Sequence, residues 1–471
     1  MQILRQLTPE EVLFIGGETS TMYQHTAGLV LLDAADRPDF GFDSVRSHLA
    51  RRIAEVPHFR WRLHEVALGL DLPYWVEDEE FDFDRHIRRI AVPSPGDHRA
   101  LADLVSYLYA RHLDRSRPLW EVWFIEGLED GQYGLFSKIH HCIMDGEGAN
   151  KLSQVINDLS PDGQRIPLDA AIADALPGAR PTRLSESVTA ARHLVAFPLR
   201  AAREIVTLAG QSVRTRLADG ETARQRARTP ATTFNRDIGK ERGFVFGAIA
   251  LDDVKAIKNH FDVTINDVLL AIIGGSLRRY LSADGNLPTE SLRTSIAVSQ
   301  RTDDEMFANK VTVVGTTLAT DLDDPVERLR VVSQDAAWAK AEAKSGSDGF
   351  MELVAAFPPL AVGAMMTMTP PEMFSQAAGY NLIVSNVRGA PIPMYLGGAR
   401  ISAMYPMSII LRGSGVNVTF ISYVDGIDIG ITTAPALVPD PWRLIDGIAA
   451  ELADLSARIP KRKRRAANAV R

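Results

Sequence analysis

Strand-like and helix-like stretches alternate along both halves of this chain, and that mixing restricts the fold to sheets covered by helices. In the first half, residues 26–33 (TAGLVLLD) read as a strand, and 42–56 as an amphipathic helix ending before Pro57. Residues 97–113 have helical spacing, 119–126 and 133–140 read as strands, and 146–159 return to helical spacing. The second half repeats the mixture from about Gly243: a helix over 266–281, strands at 293–298, 311–320, 382–387, 416–423 and 426–432, and a final helix over 442–455. The expected fold class is α/β, in two halves of similar size and without a short-period repeat. A length of 471 residues with 46% hydrophobic content is enough for two domains with substantial cores.

Several classes fall away. A single cysteine excludes a disulfide framework. No stretch offers about 20 uninterrupted apolar residues, the length needed to cross a bilayer; the nearest, 353–368, is interrupted by Pro358-Pro359. The opening residues lack the apolar region of a secretory signal, and Thr8-Pro9-Glu10-Glu11 reads as a capping box that starts a helix, so the mature chain is expected to begin near Met1. A formal net charge of −7 argues against nucleic acid as a partner. The expectation is an intracellular globular protein that does not span a membrane.

The run His140-His141-Cys142-Ile143-Met144-Asp145-Gly146 carries the chemistry. A hydroxyl that attacks an acyl thioester must lose its proton in the transition state, and neutral imidazole titrates near the working pH. His141 is the candidate base. Asp145, four positions on and beyond a turn, is placed to fix the loop by pairing with an arginine. Gly146 permits close backbone approach, and His140 sets the entry of the strand into the site. Other readings stand beside this one: core histidines satisfied by backbone, or metal ligands. Adjacent histidines on an extended segment face opposite ways, which makes convergence on one ion awkward and turns Cys142 away from His141, so neither a metal site nor a Cys-His dyad is expected. The motif lies in a strand-to-helix connection, where a rigid scaffold commonly presents catalytic groups.

Between the halves the composition shifts. From Arg180 to Arg242 there are thirteen Lys/Arg against six Asp/Glu in an otherwise acidic chain. Within it, 187–217 carries apolar residues at helical spacing, broken by Pro198, with arginines between. It reads either as a kinked helix packed on the body with a solvated basic face or as an interfacial helix resting on anionic lipid. The tail Lys461-Arg462-Lys463-Arg464-Arg465 reads as a solvated end or as a polybasic lipid contact. The expected organisation is a first domain over 1–167, a basic connector over 168–242, a second domain over 243–460 and a basic tail over 461–471.

With these residues in view, the chain resembles the bacterial wax ester synthase/diacylglycerol acyltransferase family, within the CoA-dependent acyltransferases that share HHxxxDG. The resemblance runs nearly the whole length. It rests also on Leu7-Thr8-Pro9, Pro118-Leu119-Trp120-Glu121, Asn266-Asp267, Gly398-Ala399-Arg400 and Tyr405-Pro406. Ser385-Asn386-Val387-Arg388-Gly389-Ala390-Pro391 stands where the family usually reads SNVPGP, so Arg388 departs from the pattern.

The resemblance implies two chloramphenicol-acetyltransferase-like α/β domains with the active site at their interface and substrates entering a tunnel from opposite ends. It implies that His141 takes the proton of an acceptor alcohol, which attacks acyl-CoA directly without an acyl-enzyme. It places Asn266 at the site, where it holds the histidine loop or polarises the thioester oxygen; a plain helix N-cap at Asn266 or Asp267 is the competing reading. Related acyltransferases pair the motif aspartate with an arginine, here Arg301. Pro118, Leu119 and Trp120 would border the substrate channel, though Trp120 is most simply a core residue. The Met- and Ala-rich stretch 350–368 reads as a core helix or a flexible wall for acyl chains.

The expected function is transfer of a long-chain fatty acyl group from acyl-CoA to diacylglycerol, forming storage triacylglycerol, with fatty alcohols and wax esters as a close variant. The enzyme is expected to need no cofactor and no metal, and to work in the cytoplasm, peripherally at the inner membrane or a lipid droplet. Two other readings remain open: an acyltransferase using another alcohol or a carrier-protein donor, and a non-catalytic lipid-droplet binding protein. The intact set His140, His141, Asp145 and Gly146 argues against the last.

Overall fold

The computed structural model describes residues 5–143, 146–165, 168, 175–195, 202, 203, 206, 229–299, 311–343, 357 and 359–460. Helix α1 (Pro9–Gly17) starts at the expected capping box. Thr8 Oγ1 accepts from the Glu11 amide at 3.3 Å, and the Glu11 carboxylate accepts from the Thr8 amide at 2.7 Å, so two orphan donors of the first turn are satisfied reciprocally.

Among the described residues, two six-stranded sheets organise the chain. In the first, β1 (His25–Asp33) lies between β6 (Tyr133–His140) and β12 (Ala399–Met407), with β5 (Trp120–Glu126) and β4 (Ile87–Ala91) beyond β6 and the short β11 (Tyr395–Leu396) beyond β12. A separate ribbon pairs β2 (Trp61–His64) with β3 (Tyr74–Glu77). The second sheet runs β7 (Gly243–Ala250), β14 (Gly426–Thr433), β13 (Val416–Tyr423), β10 (Leu382–Arg388), β8 (Arg293–Ser299) and β9 (Val311–Thr317). Strands β13 and β14 are buried along nearly their whole length, as central strands covered on both faces must be, and so read as apolar runs rather than alternating ones.

The stretch 243–460, expected as the second domain, also supplies strands to the first sheet. Residues 395–407 leave the second sheet's part of the chain and complete the first sheet, where β12 pairs antiparallel with β1 from Ala27↔Met407 to Asp33↔Arg400. The physical reason is that β6 occupies only one edge of β1; the other edge would present unpaired amides and carbonyls without β12.

The helix layer of the second sheet contains α6 (Leu251–Phe261), α7 (Ile265–Ala283), α8 (Pro325–Ala343) and α11 (Trp442–Ala457). A buried ion network joins three of them. The Glu451 carboxylate on α11 receives Arg328 of α8 and Arg279 of α7, each at 2.6 Å. Arg328 Nη2 also donates to the carbonyls of Leu322 and Asp323, so both terminal nitrogens of a guanidinium only 1% exposed have partners. Gly275 leaves room for the network, since a Cβ there would sit 2.1 Å from the Glu451 carboxyl. Among the described residues no single helix is long and apolar enough to cross a membrane. The expected Met- and Ala-rich helix is present as α9 (Pro359–Met368), followed by α10 (Pro371–Ala378); residues 350–356 and 358 lie outside the described residues.

Strand β12 also joins the two sheets. Its backbone passes so close to β14 that a Cβ on Gly430 would lie 1.7 Å from the Pro406 carbonyl oxygen. Two residues away, the Asp428 carboxylate accepts from the Met404 amide at 2.7 Å. Burial pushes the Asp428 carboxyl up to about 7, and the Met404 N–H, which favours the charged form, only partly opposes it. An unfolded aspartate titrates near about 4, so the folded state here holds its proton more tightly than the unfolded chain. The contribution to stability is complete below about pH 4 and is lost as pH rises through about 7. Asp428→Asn keeps an oxygen for Met404 and carries no charge, so the melting temperature of the variant should vary less between about pH 5 and 8 than that of the parent. Identical pH profiles would show that Asp428 is not the source of the dependence.

Candidate active site

Strand β6 ends at His140, and three backbone hydrogen bonds shape the turn that follows. His140 N donates to Leu119 O at 3.0 Å, His141 N to Gln24 O at 2.8 Å, and Ile143 N to His140 O at 3.0 Å. The turn is thus clamped between the residue that enters β5 and the residue that enters β1. Helix α4 (Gly146–Ile156) leaves it and packs on β10 of the second sheet, so the histidine segment lies where the two halves meet.

The two histidine rings have different surroundings. His140 is fully buried. Its Nδ1 accepts from the Cys142 amide at 3.2 Å, which puts the proton of the neutral ring on Nε2, and Nε2 lies 3.8 Å from the Glu18 carboxylate. Burial pushes the His140 imidazole below its ordinary value, with Glu18 opposing, so the ring is neutral at neutral pH. His141 is half-buried, and its ring lies parallel to Phe14 of α1, with centroids 4.1 Å apart and planes 10° apart. That stacking sets the plane in which an imidazole lone pair would meet an acceptor proton.

Cys142 is fully buried, and burial pushes its thiol well above the usual range, which leaves it a packing residue. Next to it, Ile143 lines a narrow crevice together with Arg5, Glu11, His58, Trp61 and Trp75. Pro118, Leu119 and Trp120 form the buried floor behind the turn. Leu119 supplies the carbonyl that anchors His140, while Trp120 Nε1 donates to Phe59 O at 2.9 Å and its ring stacks on His86 at 4.4 Å.

Asn266 and Asp267 sit in the first turn of α7, but neither is its N-cap. Thr264 takes that place: Thr264 Oγ1 accepts from Asp267 N at 3.2 Å, and the Asp267 carboxylate accepts from Thr264 N at 2.9 Å and from the Ser333 hydroxyl at 3.0 Å. Asp267 is therefore the acid of a capping box, and Asn266, half-buried beside it, keeps its amide for other partners. Gly146 opens α4. Asp145 and Arg301 lie outside the described residues.

Sequence reasoning missed Glu18. It follows the Gly16-Gly17 end of α1, far from the motif in sequence, and its side chain is 5% exposed. Burial alone would raise its carboxyl. A 2.9 Å hydrogen bond from His112, together with His140 and Arg115 nearby, outweighs that and holds the carboxyl well below the usual carboxylate range. A fixed negative charge thus faces the proton-bearing nitrogen of His140, and no local motif in the sequence announces it.

Glu18→Gln preserves shape and removes the charge. Because a small misplacement of a catalytic turn costs up to about 10²-fold in rate, kcat for acyl transfer should fall by about 10- to 100-fold with little change in KM. An unchanged kcat in a folded variant would remove Glu18 from the positioning of the turn.

Comparison with known proteins agrees with this architecture. The signature of the wax ester synthase/diacylglycerol acyltransferase catalytic domain matches residues 7–269, and that of the WS/DGAT C-terminal domain matches residues 307–456. A Mycobacterium tuberculosis protein bearing a diacylglycerol O-acyltransferase name is 32% identical over 467 residues, covering 96% of this chain and 90% of the relative. The O-acyltransferase WSD of Acinetobacter baylyi is 31% identical over 457 residues, covering 95% and 96%. The solved wax ester synthase/diacylglycerol acyltransferase of Marinobacter aquaeolei superposes with a TM-score of 0.71 at 27% identity, covering 96% of this chain and 99% of that one. The first condensation domain of the calcium-dependent antibiotic synthetase shares the fold, with a TM-score of 0.58 at 13% identity, covering 97% of each chain. From its sequence signatures, its relatives and its two-sheet architecture, the chain belongs to the wax ester synthase/diacylglycerol acyltransferase family of O-acyltransferases.

Proposed function

We propose that this acyltransferase moves a long-chain fatty acyl group from acyl-CoA to diacylglycerol, giving triacylglycerol, and accepts fatty alcohols to give wax esters as a variant of the same reaction. The observation that carries this reading is the clamped turn at 140–143, with His141 laid on Phe14 and His140 held beside Glu18. In the proposed step His141 takes the proton of the acceptor hydroxyl as its oxygen attacks the thioester carbonyl. The tetrahedral adduct collapses, the C–S bond breaks, and the CoA thiolate recovers the proton from His141. Attack is direct: the nearest thiol, Cys142, is buried and held protonated, which supports a route without an acyl-enzyme.

Asp145 is assigned to fixing the loop through Arg301 across the two halves, and Asn266 to the neighbourhood of the thioester oxygen. Acyl-CoA is a substrate, and the reaction calls for no cofactor or metal. Donor chain and product both partition out of water, so the reading places the enzyme at the cytoplasmic face of a membrane or on a lipid droplet.

Release of CoA from palmitoyl-CoA should depend on an added acceptor and be faster with diacylglycerol than without one; His141→Ala should lower it by about 10²- to 10⁴-fold, the usual contribution of a general base. Equal rates with diacylglycerol and with no acceptor, or an unimpaired His141→Ala variant, would overturn the assignment. Asp145→Ala and Arg301→Ala should each lower the melting temperature as well as the rate, since removing one partner of an ion pair leaves the other charge uncompensated. Normal stability in both would separate the two residues.

A further inference from the structure

The connector helix α5, residues 183–195, is amphipathic in the reverse of the usual sense. At about 100° per residue, Leu184, Val188, Ala191 and Val195 fall on one stripe, and Glu186, Thr189 and His193 on the opposite one. The polar stripe faces the body: Glu186 pairs with His64, Thr189 meets the Tyr74 hydroxyl, and His193 Nδ1 lies 2.7 Å from the Asp71 carboxylate. The apolar stripe faces outward, with Leu184 76%, Val188 52% and Val195 79% exposed. Packing of a solvated helix alone would put these faces the other way round.

The neighbouring surface continues the pattern. The turn Ala67–Gly69, just before Asp71, holds Leu68 at φ 58°, a left-handed conformation that bulky residues rarely adopt, and leaves its side chain 82% exposed. Helix α9 touches this turn and ends on Met368, 81% exposed. The same α9 packs along α1, whose Phe14 carries the His141 ring. Arg183 and Arg192, both exposed, flank the apolar stripe on either side, within the segment where thirteen Lys/Arg oppose six Asp/Glu. An apolar ridge bordered by arginines complements an anionic lipid surface, with the side chains inserted among acyl chains and the guanidinium groups at the phosphates.

We propose that α5, the Leu68 turn and the end of α9 form the face by which this protein docks on an anionic lipid surface, bringing α1 and the histidine turn toward a lipid-soluble acceptor. The link to an acceptor rests on the function proposed above; the docking face rests on the exposed stripe alone.

The experiment is flotation of the full chain with vesicles of phosphatidylcholine and phosphatidylglycerol, and with vesicles of phosphatidylcholine only, alongside measurement of its mass in solution. The parent should float, more strongly with the anionic vesicles. Val188→Asp/Val195→Asp and Leu68→Asp should each weaken binding at least about tenfold, because each removes buried apolar area and adds a repelled charge. Arg183→Gln/Arg192→Gln should erase the preference for anionic vesicles. All of these positions are exposed, so the melting temperature should match the parent's. Turnover of palmitoyl-CoA with detergent-dispersed hexadecanol should be unchanged, and its absence in parent and variants alike would strike at the proposed reaction while leaving the flotation result standing. Undiminished flotation of the aspartate variants would overturn the docking face. So would a parent that fails to float but forms a dimer that Val188→Asp dissociates, which would assign the stripe to a second copy of the chain.

Discussion

The pairing of β1 on both its edges is the interaction on which the rest of the molecule depends. One edge takes β6, the strand that ends in His140; the other takes β12, which the chain supplies only after building most of the second sheet. The register His25↔His140 puts the entrance of β1 beside the histidine turn, and that is why the Gln24 carbonyl can receive the His141 amide. A one-residue slip would turn every side chain of β6 to the opposite face and carry both histidines out of place. The bulge between Leu31 and Leu32 takes up the irregularity on the β12 side, away from the turn.

Around that frame the two adjacent histidines have different surroundings. His140 has lost its water, keeps a neutral ring and turns its N–H toward a carboxylate that is itself held ionised by His112 and Arg115. It serves as a fixed post. His141 lies half-buried against an aromatic surface, the ring of Phe14. In the reaction proposed above, one ring is a fixed post and its neighbour the base, which resolves a conflict that a single histidine would face, since a rigidly held ring and ready proton exchange make opposite demands.

Much of this was legible in the sequence where the controlling forces are local. Strand 133–140 is legible to the residue because a run rich in apolar and aromatic residues ends at the histidine motif, and the start of α1 after Thr8 is legible because its capping box is written within four residues. The final helix, expected over 442–455, extends to Ala457 because its last turn carries no distinct stop signal. Long-range features were not legible. Strand β12 has an arginine, a serine and a proline among its apolar residues, and its partner lies far back in the chain, so nothing nearby marks it as part of the first sheet. Glu18 is an acid after a glycine pair until folding brings His112, Arg115 and His140 around it. At α7 the expected cap fell two to three residues late because Asn266 and Asp267 are both good capping residues and Thr264 precedes them in a β-branched stretch.

The returning strand has a further consequence, for the order in which the protein can be made. Ser402 Oγ donates to Leu31 O across 371 residues of chain, so the seam closes only when translation is nearly finished. At ribosomal speeds of about 5–20 residues per second, the nascent first half waits tens of seconds with one edge of its central strand open. An open apolar edge is a template for pairing with another chain, and this one belongs to the strand beside the histidine turn. The ribosome-bound intermediate therefore needs shielding beside the histidine turn, and the two halves cannot mature as separate polypeptides without exchanging that strand.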